Sequence, residues 1–373
     1  QPILTNVLVE NVAAEGKSIA KVDGKVIFIE QTVPGDIVDI QIIKSKKDWA
    51  EAYPIAFKQY SSNRVNPFCS HFGVCGGCQW QMLPYQLQLQ HKQQQVTDHL
   101  TRIGKIAMPP IASIIGATNI EAYRNKIEYT FATRRFIPKE EFQQLKKQYP
   151  EATANEIAAQ VGGAAGFHAK GMFDKVVKID KCYLQNNLGN QLRDAITQLA
   201  QQHQIPFYDI KSHVGFLRNM MIRITEVGEV MVNLVVGASN TKWENICTNY
   251  LKQHFPAITS LYLTVNTKFN DSIFDLNPQL VYGKPYVLEN LEDFQFKISP
   301  KSFFQTNTQQ ALQLYKVTRD FAELTGKEVL YDLYCGTGSI GIFCSKQVQK
   351  IVGVEVVAEA IEDAKENAAF NGI

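Results

Sequence analysis

Two short stretches of this 373-residue chain hold residue types that can do chemistry. The first, Cys69-Ser-His-Phe-Gly-Val-Cys75-Gly-Gly-Cys78, sets three thiols close together along the chain. Thiolates so close would repel or oxidise unless something bound them, so a metal centre is expected. Gly73, Gly76 and Gly77 would let the backbone wrap closely round a bulky centre, because glycine accepts positive φ. Cys182, far downstream in Lys178-Ile-Asp-Lys-Cys182-Tyr183, is the candidate fourth thiol. Spacing leaves two metals open. Zinc binds four thiolates but usually across shorter gaps than the one before Cys75, whereas a [4Fe–4S] cluster accepts varied spacing. With four ligands no iron stays open, which excludes radical cleavage chemistry.

The second stretch is Glu328-Val-Leu-Tyr-Asp332-Leu-Tyr334-Cys335-Gly336-Thr-Gly338-Ser339-Ile-Gly341. It reads as a strand, a glycine turn and a helix. A second strand, Ile351-Val-Gly-Val-Glu355, and helical residues 357–370 complete the opening β-α-β-α of a Rossmann-type domain. Taken literally, Gly336-x-Gly338-x-x-Gly341 is the dinucleotide fingerprint, with Glu355 where a ribose-binding acid belongs. Charge separates the ligands. An acid at Asp332 opposes a pyrophosphate but favours the ammonium and sulfonium of S-adenosyl-L-methionine. That cofactor is preferred, and a dinucleotide-dependent oxidoreductase is kept as an alternative.

The elements that must position these stretches fall into three expected domains. Residues 1–58 form a small β module, with strand-like runs at Val26–Ile29 and Val38–Ile42 and turn signals at Asp23-Gly24 and Pro34-Gly35-Asp36. Residues 59–297 are mixed α+β, with strand-like runs at Lys126–Ala132, Met221–Thr225, Glu229–Val236 and Ser260–Val265. Within them, 84–103 reads as a helix opened by Pro84 and closed by Gly104, expected to pack on the C-terminal domain, with its many glutamines as a wet face. Residues 138–161 read as an exposed helical insertion. Residues 298–373 begin the Rossmann-type domain.

The chain is 45% apolar and 20% charged, so it can bury sizeable cores. It has no run long and apolar enough for a membrane span and no secretory layout at its start, so the cytoplasm is expected. The missing initiator Met suggests a trimmed start. Seven cysteines do not suggest a disulfide framework. Net charge is only +2, but eight Lys or Arg against three acids between Gln59 and Arg135 give that stretch +5, a reserve for phosphate contacts.

Ala14-Glu-Gly-Lys-Ser-Ile-Ala20, Asp23-Gly-Lys-Val-Ile-Phe-Ile29 and Val33-Pro-Gly-Asp36 resemble a TRAM domain, an OB-like RNA-binding barrel. Lys44, Lys46 and Lys47 are its one basic cluster. The Cys-x5-Cys-Gly-Gly-Cys pattern after such a barrel resembles the bacterial 23S rRNA uracil-C5 methyltransferases. The resemblance implies a [4Fe–4S] cluster on Cys69, Cys75, Cys78 and Cys182. It also implies ribosomal RNA as partner in preference to tRNA. Phe68, Phe72 and Trp80 beside the thiols would either stack on unpaired bases or seal the cluster. Tyr123-Arg124-Asn-Lys126 and Gly166-Phe-His168-Ala-Lys-Gly-Met-Phe-Asp174 resemble the family's central domain. Arg124 and Lys126 then become phosphate contacts, and His168 a structural or RNA-facing side chain.

Ser302-Phe-Phe-Gln305-Thr-Asn307 resembles the family's cofactor stretch. It implies Gln305, Tyr334, Ser339 and Glu355 as cofactor residues. The implied activity is methylation of uracil C5 by covalent catalysis: a Cys adds to C6, and a Glu base removes the C5 proton. Those two residues are expected after Ile373, since Cys335 and Cys344 read as structural and Cys247 has no supporting context. The chain is thus expected to be a truncated, inactive monomer, and a non-catalytic RNA-binding protein is the further alternative.

Overall fold

A computed structural model describes residues 2–373. The chain forms two compact units, one ending at Thr118 and one beginning at Asn119. Contacts therefore group the thiol loop and the helix after it with the barrel, and 298–373 with the sheet before it, unlike the 1–58, 59–297 and 298–373 division.

In the first unit six strands, β1 (Ile3–Leu8), β2 (Asn11–Val12), β3 (Ser18–Val22), β4 (Lys25–Ile29), β5 (Ile37–Ser45) and β6 (Trp49–Gln59), form one sheet in the order β1-β5-β6-β4-β3-β2. Alternation puts Ala20, Ile27, Ile29, Val38, Ile40 and Ile42 into a shared core. Asp23 and Gly24, both at positive φ, make the two-residue turn between β3 and β4, where only a primed turn matches the twist of the strands. Asp36 is buried. Its carboxylate accepts from the backbone N–H groups of Val33 (2.8 Å) and Ser61 (2.9 Å) and from Arg64 Nε (2.9 Å). Arg64, counted above among the phosphate reserve, is thus spent on holding the chain as it leaves the barrel.

Helix α1 (Tyr85–Asp98) runs into a wider turn, His99–Ile103, and stops at Gly104. Its glutamines are not simply a wet face. Gln88 donates to the carbonyls of Trp80 (3.0 Å) and Leu83 (2.8 Å), and Gln93 to that of Ala112 (3.2 Å).

The second unit is built on a seven-stranded sheet. Its strands are β7 (Lys126–Ala132), β8 (Ala164–His168), β9 (Val176–Lys178), β10 (Leu217–Ile224), β11 (Val230–Val236), β12 (Ile258–Val265) and β13 (Gln279–Gly283), in the order β13-β12-β11-β10-β7-β8-β9. Helices α2 (Lys139–Gln148) and α3 (Ala154–Val161) form the insertion between β7 and β8; a capping box of Thr153 and Glu156 starts the latter. Helix α4 (Asn187–Gln202) packs on β8, and α5 (Thr241–His254) crosses over between the parallel strands β11 and β12.

A hairpin, β14 (Val287–Leu291) and β15 (Phe294–Ile298), leads into α6 (Thr308–Phe321). Then come β16 (Val329–Leu333), α7 (Ser339–Cys344), β17 (Lys350–Val354) and α8 (Ala358–Phe370), with β16 and β17 parallel. Met221 and Met231 of the large sheet share one core with Phe296, Phe304, Tyr315, Ile342 and Phe343. The C-terminal elements are thereby fixed to the sheet.

Candidate functional site

The glycine turn closes upon itself. Tyr334, directly after β16, adopts a left-handed conformation (φ 62°) and is 88% exposed. Gly336 and Gly338 follow at φ 54° and 76°, values that cost a side-chain-bearing residue energy. Asp332 Oδ2 accepts from Gly341 N (2.8 Å), tying the strand end to α7; burial pushes its carboxyl up. Glu355 reaches back from the end of β17. Its carboxylate accepts from Val357 N (2.9 Å), Gly336 N (3.0 Å) and Val356 N (2.7 Å), and these bonds hold its carboxyl below the usual range. Oε2 keeps a spare lone pair for a ligand hydroxyl, whereas Oε1 is taken up by Val356 and Val357. Ser339 Oγ lies 2.8 Å from the hydroxyl of Tyr315, a buried partner that no spacing rule points to. A Cβ added at Gly336 would meet only open space, which leaves room for a ligand there.

The Gln305 stretch is bound to the large sheet by residues 180 positions away. Asn125 donates from Nδ2 to Gln305 O and to Thr308 Oγ1, both at 2.9 Å, and its N–H donates to Thr306 O at 2.7 Å. Thr308 in turn donates to Glu289 Oε2 (2.8 Å), and the Arg223 guanidinium donates to Ser302 O (3.2 Å). Burial pushes the fully enclosed Glu289 up, and burial brings Arg223 down to about 10. Arg124 donates from Nε to Lys126 O (2.9 Å). Burial, with the nearby Arg223 guanidinium, lowers the Lys126 ammonium. The sheet and the Gln305 stretch thus form one hydrogen-bonded assembly. Glu289 and Arg223 went unrecognised in the sequence because nothing local marks them, and Asn125, within the Tyr123–Lys126 match, carried no sign of its bonds to the Gln305 stretch.

The other thiols of this unit are poor nucleophiles. Cys247 is fully buried in α5, and burial pushes it up to about 12. Cys344 sits in the shared core, and burial raises it as well. Burial and the carboxylates of Asp332 and Glu355 raise Cys335, whose sulfur lies 3.9 Å from Gly336 O.

In the first unit the thiol loop is shaped by its neighbours. Gln31 donates to Gly73 O (2.9 Å), Cys69 N donates to Gln81 Oε1 (3.2 Å), and Gly77 N donates to Cys75 Sγ (3.4 Å). A Cβ at Gly16, which has φ 74°, would lie 2.5 Å from Gln79 Oε1. Phe72 and Trp80 pack against buried Val33, Met82 and Leu83, so both serve a small core. Among the described residues no three His, Cys, Asp or Glu side chains gather into a metal-holding group. The expected cluster is therefore not shown, and Cys182 belongs to the second unit. Lys44, Lys46 and Lys47 are all exposed around the β5–β6 turn, with Lys44 over the Trp49 ring at 5.1 Å. No helix is long and apolar enough to cross a membrane among the described residues.

Known proteins agree with this layout. The family described as TRAM domain matches residues 5–55, and the family described as tRNA (Uracil-5-)-methyltransferase matches residues 259–373. An uncharacterized RNA methyltransferase of Bacteroides thetaiotaomicron is 45% identical over 97% of this chain and 78% of its own length. One from Porphyromonas gingivalis is 40% identical, over 98% and 77% respectively. Among solved structures, the tRNA (uracil-54, C5)-methyltransferase of Pyrococcus abyssi in complex with S-adenosyl-L-homocysteine is similar with a TM-score of 0.70 at 25% identity. That likeness covers 99% of this chain and 77% of that one. The chain spans about three quarters of the length of these relatives. With its TRAM domain, its glycine turn and relatives of this kind, the chain belongs to the S-adenosylmethionine-dependent RNA (uracil-5-)-methyltransferase family.

Proposed function

We propose that the protein methylates carbon 5 of a uracil in ribosomal RNA, in the cytoplasm. The observation that carries this reading is the buried clamp from Asn125 to Gln305, Thr306 and Thr308. It joins a sheet bearing Arg124 and Lys126 to the stretch bearing Gln305, so an RNA held by one is presented to the other. The open space at Gly336 and the ionised Glu355 suit S-adenosylmethionine. Asp332, Tyr334, Gly336, Gly338, Ser339, Glu355 and Gln305 would hold it. When bound, the cofactor supplies a methyl group made electrophilic by its sulfonium. Glu355 orients the turn through Gly336 N–H, and Asp332 fixes the start of α7 through Gly341 N–H.

Uracil C5 needs activation by a thiolate adding to C6 and a base taking the C5 proton. Cys247 and Cys344, buried and raised, and Cys335, raised beside two carboxylates, do not fit the nucleophile's role, which we assign to none of them.

We also assign a [4Fe–4S] cluster to Cys69, Cys75, Cys78 and Cys182. Support comes from the donor chemistry: four soft thiols, with the Gly77 N–H turned toward Cys75 Sγ as a hydrogen bond to a thiolate requires. The cluster would anchor the loop and take no part in methyl transfer. Iron and acid-labile sulfide assays on anaerobically purified protein test it; zinc in their place would refute it.

A second substrate reading rests on the likeness to the Pyrococcus abyssi tRNA enzyme and on the tRNA-named family match. Incubating the protein with labelled S-adenosylmethionine and either rRNA or tRNA separates the two. Label at uracil C5 of rRNA is expected. Label in tRNA alone would establish the second reading, and RNA binding without transfer would leave a non-catalytic binder.

A further inference from the structure

Register sets Lys126, Glu128 and Thr130 of β7 on one face of the large sheet, opposite Arg223, Met221 and Asn219 of β10. Both ends of this row are taken up. Arg223, across from Lys126, donates to Ser302 O, and Asn219 donates to Thr130 Oγ1 (3.3 Å). Beyond Thr130 the face closes: the cavity lined by Thr130, His168 and Phe173 measures about 20 Å³, space for about one water and for no base. Between the two ends Glu128 stays open. It is exposed, and among the described residues it makes no hydrogen bond and no ion pair. Its cross-strand neighbour Met221 lies in the core shared with the C-terminal elements, so Glu128 stands at their margin.

Two observations set Glu128 apart from an ordinary surface acid. The first is its hydration. The residue is accessible, yet the protein packed round it, with Asp271 adding to the effect, outweighs Lys126 and pushes its carboxyl up. An accessible but poorly hydrated carboxyl lies in a recess rather than on a crest. The second is its company. Lys126 is next on the face, Arg223 lies diagonally across, and Arg124 is close to Lys126. An RNA strand drawn by these cations meets one carboxylate, which repels phosphate. The sugar hydroxyls run with the phosphates along the cations, which leaves the recess to the donor edge of a base.

We propose that Glu128 selects uracil over cytosine by accepting the N3–H of the base to be methylated. The inference rests on the reading of the substrate as a uracil in RNA. At that ring position uracil carries a hydrogen and cytosine a lone pair. A carboxylate, which only accepts, attracts the first and repels the second. N3 stands across the ring from C6, so a side chain at N3 leaves C5 and C6 free for the methyl group and the thiolate. Lys126, about 7 Å back along the strand, keeps its place as a phosphate contact. Glu128 determines specificity and takes no part in methyl transfer.

Fluorescence anisotropy of labelled oligouridylate and oligocytidylate against the full chain tests this, with calorimetric binding of S-adenosylhomocysteine as the control for folding. The wild-type chain should bind oligouridylate about tenfold more tightly, within the range of one base-edge contact. Glu128→Gln should bring that ratio to about twofold or less, because an amide both donates and accepts and so serves either base. Lys126→Ala should weaken both RNAs alike and keep the ratio, as loss of a phosphate contact does. S-adenosylhomocysteine affinity should not change in either variant. A uridylate preference that survives in Glu128→Gln, or equal binding of the two RNAs by the wild-type chain, overturns the role of Glu128 and leaves the RNA reading standing. Wild-type protein that binds S-adenosylhomocysteine but neither RNA overturns both.

Discussion

The turn after Asp332 and the loop from Cys69 to Cys78 are both short, glycine-rich and hydrogen-bonded, yet only the loop also depends on residues outside its own unit of structure. The turn clamps itself: Asp332 and Glu355 take the N–H groups of Gly341 and Gly336, all within one β-α-β unit. The thiol loop bonds within itself, Cys75 N to His71 O (2.9 Å) and Phe72 N to Cys69 O (3.1 Å), but also leans on residues outside it, on Gln31 of the barrel, which donates to Gly73 O, and on Gln81, which accepts from Cys69 N. A self-clamped motif keeps its geometry wherever it is placed. A motif held by neighbours depends on every one of them.

The largest effect expected from breaking this contrast lies at neither motif but at the clamp behind Gln305. Glu289→Ala leaves Thr308 and the backbone N–H groups of Glu226 and Asn290 without their acceptor, and removes the carboxylate whose charge favours the buried Arg223 guanidinium. A loss of about 3–5 kcal/mol is expected, in line with uncompensated buried charge, and urea unfolding measures it.

Smaller effects compare the two glycines directly. Gly16→Ala adds left-handed strain and drives a methyl into Gln79 and Trp80, for about 2–3 kcal/mol. Gly336→Ala adds the strain alone, about 1 kcal/mol, because its methyl meets open space. Equal losses in thermal unfolding would erase the distinction between a motif held by neighbours and one that holds itself.

Asp209 gives the smallest and most local test. Burial raises its carboxyl, but the Ser212 N–H, the Thr133 hydroxyl, the Lys211 N–H and Arg134 outweigh that and bring it to about 2. Its folded value lies below the ordinary 3.8, so its contribution is present above about pH 3.8 and is lost as pH falls through about 2. Solvent screening limits it to about 1 kcal/mol. Asp209→Asn should remove that acid dependence while leaving stability at neutral pH lower by the same amount.

Sequence periodicity carried the elements well where burial is regular. Lys126–Ala132 is β7 as expected, the insertion at 138–161 is a pair of helices, and the Asp23-Gly24 turn sits where its dipeptide requires. The helix at 84–103 is present, but its glutamines hold backbone carbonyls that no helical wheel reveals. The clamp at Asn125 was illegible for a similar reason. Its partners lie some 180 residues away, so the Tyr123–Lys126 match marks the residue without revealing what it binds. The glycine turn was legible because its own residues satisfy its polar groups.

The central claim is that this self-clamped turn holds a sulfonium-bearing cofactor. Calorimetric titration of the full chain with S-adenosylhomocysteine, and separately with a nicotinamide dinucleotide, tests it most directly. Saturable binding of S-adenosylhomocysteine alone, weakened at least tenfold in Glu355→Ala, is predicted. Binding of the dinucleotide instead, or an unchanged affinity in Glu355→Ala, would contradict it.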